Sequence, residues 1–414
     1  MSAALAETIP AAAPCGEARL RAVPIADWLL EERAENTTMI EILSAYAERL
    51  RGIGIPIDRC NINMPQLHAQ LLARSIVWDS EQGARELDRQ HGLERQSDYL
   101  DSPVRVIYEG GGPIRRRIED PESEIDFPIL RDLKPQGFTD YTVIPLKFST
   151  GKINALGFAT KRPGGFSQLD LDTVDATLPA LGAVMELRHV RRTSSHLLDT
   201  YLGHNAGRRV LNGTIRRGEG EEIFAVLWFC DMRRFTELSE RRPMAEVVEV
   251  LNRYFDVMGL AVERRGGEIL KFIGDGMLAI FPCEEIADGR CDAADRAIAA
   301  SEAALKGLDK LNKELIAEGK DSVDCGIALH VGEVLYGNVG AADRLDFTAI
   351  GPAVNKVCRL ESLCKQEDAR IILSQDLIRR SHRLGHQFQD IGCHPLKGIE
   401  GLQQAYTLIE TAKR

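Results

Sequence analysis

Eight consecutive apolar residues, IFAVLWFC at 223–230, run directly into Asp231. An unbroken apolar run of that length reads as a buried strand, and it is far too short to cross a bilayer. The second half of the chain must therefore cover this strand and bring a carboxylate to its end. The segments that follow supply the cover. Pro243 opens an amphipathic helix in which Val247, Leu251, Phe255, Met258 and Val262 share one face, and Gly266-Gly267 ends it. EILKFI, a Gly-Asp-Gly turn and MLAIF read as a β-hairpin with Asp275 in the turn. An Ala-rich helix covers about 291–317, and CGIALHVG and VLYGNVG read as another hairpin. DFTAIG leads into a helix at about 352–366, and RIILS is a further strand. The order β-α-β-β-α-β-β predicts an α+β, ferredoxin-like sheet with helices packed on one face.

The polar stretch NGTIRRGEGEE at 212–222 marks a domain boundary before this core. Upstream, residues 1–24 read as a disordered tail, and 25–51 as one helix. The runs CNINM, RSIVW, VRVIYEG and YTVIPLKF read as strands, and KFSTGKINALGFAT reads as a hairpin turning at Thr150-Gly151. A helix begins after Ser167, which precedes an acidic first turn. Its apolar residues Val174, Leu178, Leu181, Met185, Val190, Leu197 and Tyr201 recur at near-helical spacing to about Leu202, with Pro179 as an interruption. Two roles are open to it: closing the first domain, or acting as a dimeric signalling helix. The predicted division is a mixed domain over 25–190, a connecting helix and linker over 191–219, and the strand-rich core over 220–410.

The chain carries 52 basic and 62 acidic residues, a formal net charge of -10. That balance argues against a general nucleic-acid binder, which needs a basic face, and leaves room for a local basic pocket. No apolar run reaches transmembrane length. The Ala-rich start lacks a basic leader and is broken by Glu7, Pro10 and Pro14, so it does not read as a signal peptide. The nine cysteines include no CxxC pair, and Cys230, Cys325 and Cys358 sit in apolar patterns as small hydrophobes. This usage fits a reducing, cytoplasmic setting.

In a ferredoxin-like sheet, Asp231 and Asp275 fall side by side on one edge. Two carboxylates there suit Mg²⁺, which takes few protein oxygens and completes its shell with phosphate. Singly, Asp231 reads equally as a turn cap and Asp275-Gly276 as an ordinary hairpin turn. The surrounding segments carry more. CDMRRFTEL (230–238), LKFIGDGMLAIFP (270–282), DFTAIGPAVNKVCRLES (346–362) and HPLKGIEG (394–401) resemble, in order, the motifs of class III adenylate/guanylate cyclases. The resemblance implies that Asp231, Asp275 and the backbone carbonyl of Met232 hold two Mg²⁺ or Mn²⁺ ions per site. It implies Lys271 as the base reader, with Lys in adenylyl and Glu in guanylyl cyclases; an ammonium satisfies the N1 acceptor of adenine. Thr348, seven residues before Asn355, falls at the second base-reading position, where many members carry Asp. A hydroxyl can accept or donate, so discrimination there is looser.

Asn355 and Arg359 are four apart and share a helix face. The resemblance gives them the ribose and the transition-state phosphate, and gives Lys397 and, less directly, Arg344 the triphosphate. The implied reaction converts ATP to 3′,5′-cyclic AMP and pyrophosphate in a head-to-tail homodimer. A guanylate or mixed-specificity cyclase and a catalytically silent, cyclase-like signalling domain are the alternatives. Arg234 departs from the glycine frequent at that place in the first motif. Residues 25–190 resemble, loosely, an α/β GAF-like sensor for an unknown small-molecule or protein signal, with a purely dimerising domain as the alternative. Neither the lone His68 nor Cys60 carries a ligand-binding context.

Overall fold

The computed structural model describes residues 15–31, 37–67, 71–90, 92, 97–283, 289–383 and 387–409. It divides into two compact units, Met1–Leu197 and Leu198–Arg414. The isolated His68 lies outside the described residues.

The first unit contains helices α1 (Gly16–Glu31) and α2 (Met39–Gly52), then strands β1 (Arg59–Pro65), β2 (Leu71–Asp79) and β3 (Gly83–Gln90). Helices α3 (Ser97–Leu100) and α4 (Pro103–Tyr108), strand β4 (Ile114–Arg117) and helix α5 (Pro128–Leu133) follow. Strands β5 (Asp140–Lys147) and β6 (Ile153–Thr160) precede the long helix α6 (Gln168–Leu202). The six strands form one sheet in the order β3-β2-β1-β6-β5-β4, with every pairing antiparallel. One face packs Ile62, Trp78, Leu156 and Phe158 against α2 and α6. The other packs Val143, Ala155 and Ala159 with Ile107 and Leu130.

Three expectations for this unit are corrected. Residues 16–24, assigned to a disordered tail, belong to α1, which buries Ala18, Ala22, Ile25 and Leu29. The single helix expected over 25–51 is two, the second starting at a capping box in which the amide of Thr38 donates to Glu41 and the amide of Glu41 to the Thr38 hydroxyl. VRVIYEG, expected as a strand, forms α4, because Pro103 stands at the helix start and Ser102 caps it. Helix α6 opens on the reciprocal pair Ser167 and Asp170. It passes Pro179 without ending, since burial of Thr177, Ala180, Leu181, Val184 and Met185 outweighs one lost backbone hydrogen bond. None of its residues beyond His189 is buried, and Val190 and Tyr201 are exposed.

The second unit opens with α7 (His204–Leu211) and β7 (Gly220–Arg233), followed by α8 (Phe235–Arg241), α9 (Met244–Glu263), β8 (Glu268–Ile273) and β9 (Gly276–Pro282). Helix α10 (Asp292–Ala317) leads to β10 (Asp324–Ala341), β11 (Arg344–Ile350), α11 (Pro352–Glu361) and α12 (Leu363–Gln366). Strand β12 (Ile371–Ser374), helix α13 (Gln375–Arg380) and strands β13 (Phe388–Pro395) and β14 (Leu402–Leu408) complete it. The strand order is β13-β14-β12-β10-β7-β9-β8, with β11 paired to the far end of β10.

Strand β7 explains its own composition. Val226, Trp228, Cys230 and Met232 enter one core with α9 and α10. Ala225, Leu227 and Phe229 enter a second with α11 and α12. Helices thus cover both faces, not the one expected, and a strand buried on both sides has no polar alternation to show. At about 1.5–3 kcal/mol for each large side chain buried, this strand anchors the fold. The hairpin expected between CGIALHVG and VLYGNVG is absent. Both segments belong to β10, which stays in register with β7 from Asp324↔Arg233 to Gly337↔Gly220, and the turn lies later, between β10 and β11. Cys230 and Cys325 are buried as expected, whereas Cys358 is half-buried.

Candidate active site

Strand β7 carries Asp231 past its apolar run, and the two-residue period puts that carboxylate on the α11 face with Leu227 and Phe229. Asp231 pairs with Gly276 on one side and Gly326 on the other. Strands β8 and β9 meet at Ile273↔Gly276, leaving Gly274 and Asp275 as a two-residue turn. Gly274 takes a left-handed φ of 63°, which glycine adopts at no steric cost. Asp275 thereby stands beside the strand position of Asp231. A Cβ on Gly276 would lie 3.0 Å from both Asp231 Oδ1 and the Cys230 carbonyl, so a side chain there would crowd that carboxylate.

The electrostatics mark this corner. Burial, and then the negative charge of Asp275, push the pKa of Asp231 up to about 6. Burial raises Asp275 as well. A third carboxylate shares the corner. Glu361, at the end of α11, places Oε1 where a Cβ on Gly326 would be only 2.4 Å away, directly over the strand partner of Asp231. Burial and the charges of Asp231 and Asp275, opposed by Arg233, raise Glu361 to about 7. The guanidinium of Arg233 donates instead to the carbonyls of Cys364 and Ala369, at 2.9 and 2.7 Å. Glu361 was missed at the sequence level, where it is one residue of RLES; only the close pass of α11 over Gly326 brings it in.

Two adjacent carboxylates with no compensating cation among the described residues fit a small, hard divalent ion. Met232 fits the set through its carbonyl alone, because its side chain is buried in the apolar core. Among the described residues no three His, Cys, Asp or Glu side chains are grouped as a ligand set. The donor chemistry is that of the Asp231 and Asp275 carboxylates, with Glu361 as a further negative charge beside them.

Lys271 follows a bulge in β8: Ile269 pairs with Ala279 and Lys271 with Leu278, so Leu270 is the extra residue. The bulge turns Lys271 into a cavity of about 480 Å³ that Arg344, Asp346, Thr348 and Leu278 also line. The ammonium sits 3.5 Å from Asp346 Oδ2, a partner that sequence reasoning passed over. Thr348 is buried, and its hydroxyl has no hydrogen-bond partner among the described residues. Asp231 and Asp275 do not line this cavity. Asn355 and Arg359 lie on the exposed side of α11, opposite the buried Ala353, Val357 and Leu360. Lys397 is exposed in the turn between β13 and β14, and Arg344 is exposed at the start of β11. Within one chain the structure thus gathers Asp231 with Asp275, and separately Lys271 with Thr348 and Arg344. Arg234 takes a left-handed φ of 59°, the conformation for which glycine is favoured.

Residues 221–410 match the adenylate and guanylate cyclase catalytic domain family. An adenylate cyclase of Anabaena cylindrica is 37% identical over 155 residues, 36% of this chain and 29% of that protein. The match spans about three tenths of the length of this relative and of the 35% identical mycobacterial relatives. A bacterial light-regulated adenylyl cyclase structure is similar over 56% of this chain and 65% of its own, at 26% identity and a TM-score of 0.47. A guanylyl cyclase structure is similar over 46% of this chain and 93% of its own, at 27% identity and a TM-score of 0.40. The second unit carries a class III adenylate/guanylate cyclase catalytic domain. No helix among the described residues is long and apolar enough to cross a membrane.

Proposed function

We propose that the protein is an adenylate cyclase that converts ATP to 3′,5′-cyclic AMP and pyrophosphate at sites shared by two head-to-tail catalytic units. The observation that carries this reading is the pairing of Asp231 and Asp275 at neighbouring strand ends, both with raised pKa. These carboxylates and the Met232 carbonyl would hold two Mg²⁺ or Mn²⁺ ions, which when bound supply positive charge at the attacking ribose oxygen and the phosphates. Lys271 donates to N1 of adenine from its cavity. Asn355 orients the ribose. The guanidinium of Arg359 stabilises the charge that builds at the α-phosphate as the 3′-oxygen forms its bond to phosphorus and the bond to pyrophosphate breaks. Lys397 and Arg344 neutralise the departing pyrophosphate.

The shared site is supported by the separation within one chain of the carboxylate pair from the Lys271 cavity. It is also supported by the exposure of Asn355 and Arg359 without side-chain partners among the described residues. An isologous dimer brings the two halves together twice. Residues 25–190 act in this reading as a GAF-like regulatory module, coupled through α6, along which Leu187, Val190 and Tyr201 are exposed. The test is to supply pure full-length protein with Mn²⁺ and either ATP or GTP and to measure cyclic nucleotide. Cyclic AMP as the main product, abolished by Asp275→Asn without loss of the dimer, is the expected result. Cyclic GMP as the main product overturns the base assignment, and no product with any metal favours a silent domain.

A further inference from the structure

Helix α11 carries both Asn355 and Arg359, yet neither side chain has a partner among the described residues. Their aim is set entirely by how a ten-residue helix seats on the sheet. Its inward face is apolar: Ala353, Val357 and Leu360. At Gly332 the seat is close, since a Cβ there would come within 2.8 Å of Ala353. Apolar contacts of this kind fix the distance between helix and sheet but are non-directional, so they oppose rolling about the helix axis only weakly. At a radius of about 7 Å a roll of about 20° moves a side-chain group by roughly 2 Å. A misplacement of about 1 Å can cost a hundredfold in rate.

Among the described residues, one side chain of α11 makes an ion pair. Lys356, between the two site residues in sequence, places its ammonium 2.9 Å from Asp376 Oδ2. The pair is sheltered on the lysine side, where 19% of the side chain is exposed. Asp376 stands in the first turn of α13. Behind it lies the buried imidazole of His330, 3.9 Å from the same oxygen. Burial and the nearby Lys356 lower the pKa of His330 to about 4, so the ring is neutral and Lys356 is the cation that faces Asp376. His330 is itself fixed by a 2.9 Å contact from Nδ1 to the hydroxyl of Ser374, which caps α13 by accepting from the amide of Leu377. A chain of polar contacts therefore runs from the middle of β10 through the start of α13 to the flank of α11.

We propose that the Asp376–Lys356 pair is a positioning clamp that sets the roll of α11 and so aims Asn355 and Arg359. The proposal rests on the cyclase reading for its catalytic consequence, though not for the clamp itself. Asp376 touches no substrate, and acts through the helix it holds.

The experiment uses the full-length protein with Asp376→Asn, Lys356→Met, and the exchange Lys356→Asp with Asp376→Lys. Hydrogen exchange of the 352–361 amides, read by mass spectrometry without nucleotide, is expected to quicken in both single variants and to recover in the exchange. In cyclic AMP formation kcat is expected to fall about tenfold with KM changed less than threefold, because the groups displaced act on the ribose and the transition state. In an Arg359→Ala background, Asp376→Asn is expected to add less than a twofold loss, as befits residues acting as a unit. Unchanged exchange over 352–361 overturns the clamp even if the enzyme is active. An equal fold loss with and without Arg359 assigns Asp376 to general stability and also overturns it. A wild-type protein that makes no cyclic nucleotide refutes the cyclase reading and leaves the exchange result to decide the clamp.

Discussion

Glu361→Gln tests the burial and crowding of negative charge at the carboxylate corner. The amide keeps the volume of the side chain over Gly326 and removes its charge. Glu361 titrates at about 7 in the fold against an ordinary 4.5, and such a shift corresponds to roughly 3 kcal/mol. Because the folded pKa is the higher one, the folded state holds the proton more tightly. Its contribution is fully present below pH 4.5 and is lost as pH rises through about 7. At pH 8 in EDTA the variant should therefore be more stable than wild type by roughly 2–3 kcal/mol, and near pH 4.5 the two should agree. For a unit of this size that corresponds to a melting shift of about 4–10 °C. Urea unfolding of the full chain, followed by hydrogen exchange of peptides covering β7, reports on the second unit alone. An equal stabilisation at both pH values would refute the electrostatic account, and no stabilisation at pH 8 would show that Glu361 is not under charge stress. With Mn²⁺ added, the variant should bind the ion severalfold more weakly, since one neighbouring negative charge has gone.

Thr348→Val removes a buried hydroxyl without a partner among the described residues and should stabilise the second unit by about 1 kcal/mol; a loss of that size in urea unfolding would mean the hydroxyl is satisfied. Arg234→Gly relieves a left-handed backbone and should raise stability by roughly 0.5–1 kcal/mol, and destabilisation would show that the arginine side chain holds the loop. Mixing Asp275→Asn, inactive alone, with Arg359→Ala, strongly impaired alone, should raise activity above either, because a mixed dimer contains one site with both groups intact; no recovery in mixed dimers verified by mass would refute the shared site.

The sequence by itself determined the local scaffold on which the candidate site stands. The apolar run ending at Asp231, the Gly-Asp-Gly turn and the helical spacing of Asn355 and Arg359 are local patterns, and each lies where its pattern put it. Local pattern also erred where the deciding force was distant. β10 has glycines at a plausible turn, yet it continues straight, because pairing with β7 along its length satisfies more backbone than a turn would. VRVIYEG alternates like a strand, and a proline and a capping serine make it a helix. Tertiary structure alone decided which charges meet. Glu361 reaches Asp231 across two strands, Asp346 reaches Lys271 from another hairpin, and Asp376 reaches Lys356 from a neighbouring helix. Long-range electrostatic contacts have no periodicity in the chain, so the residues that tune the site become visible only once strands and helices far apart in sequence are packed together.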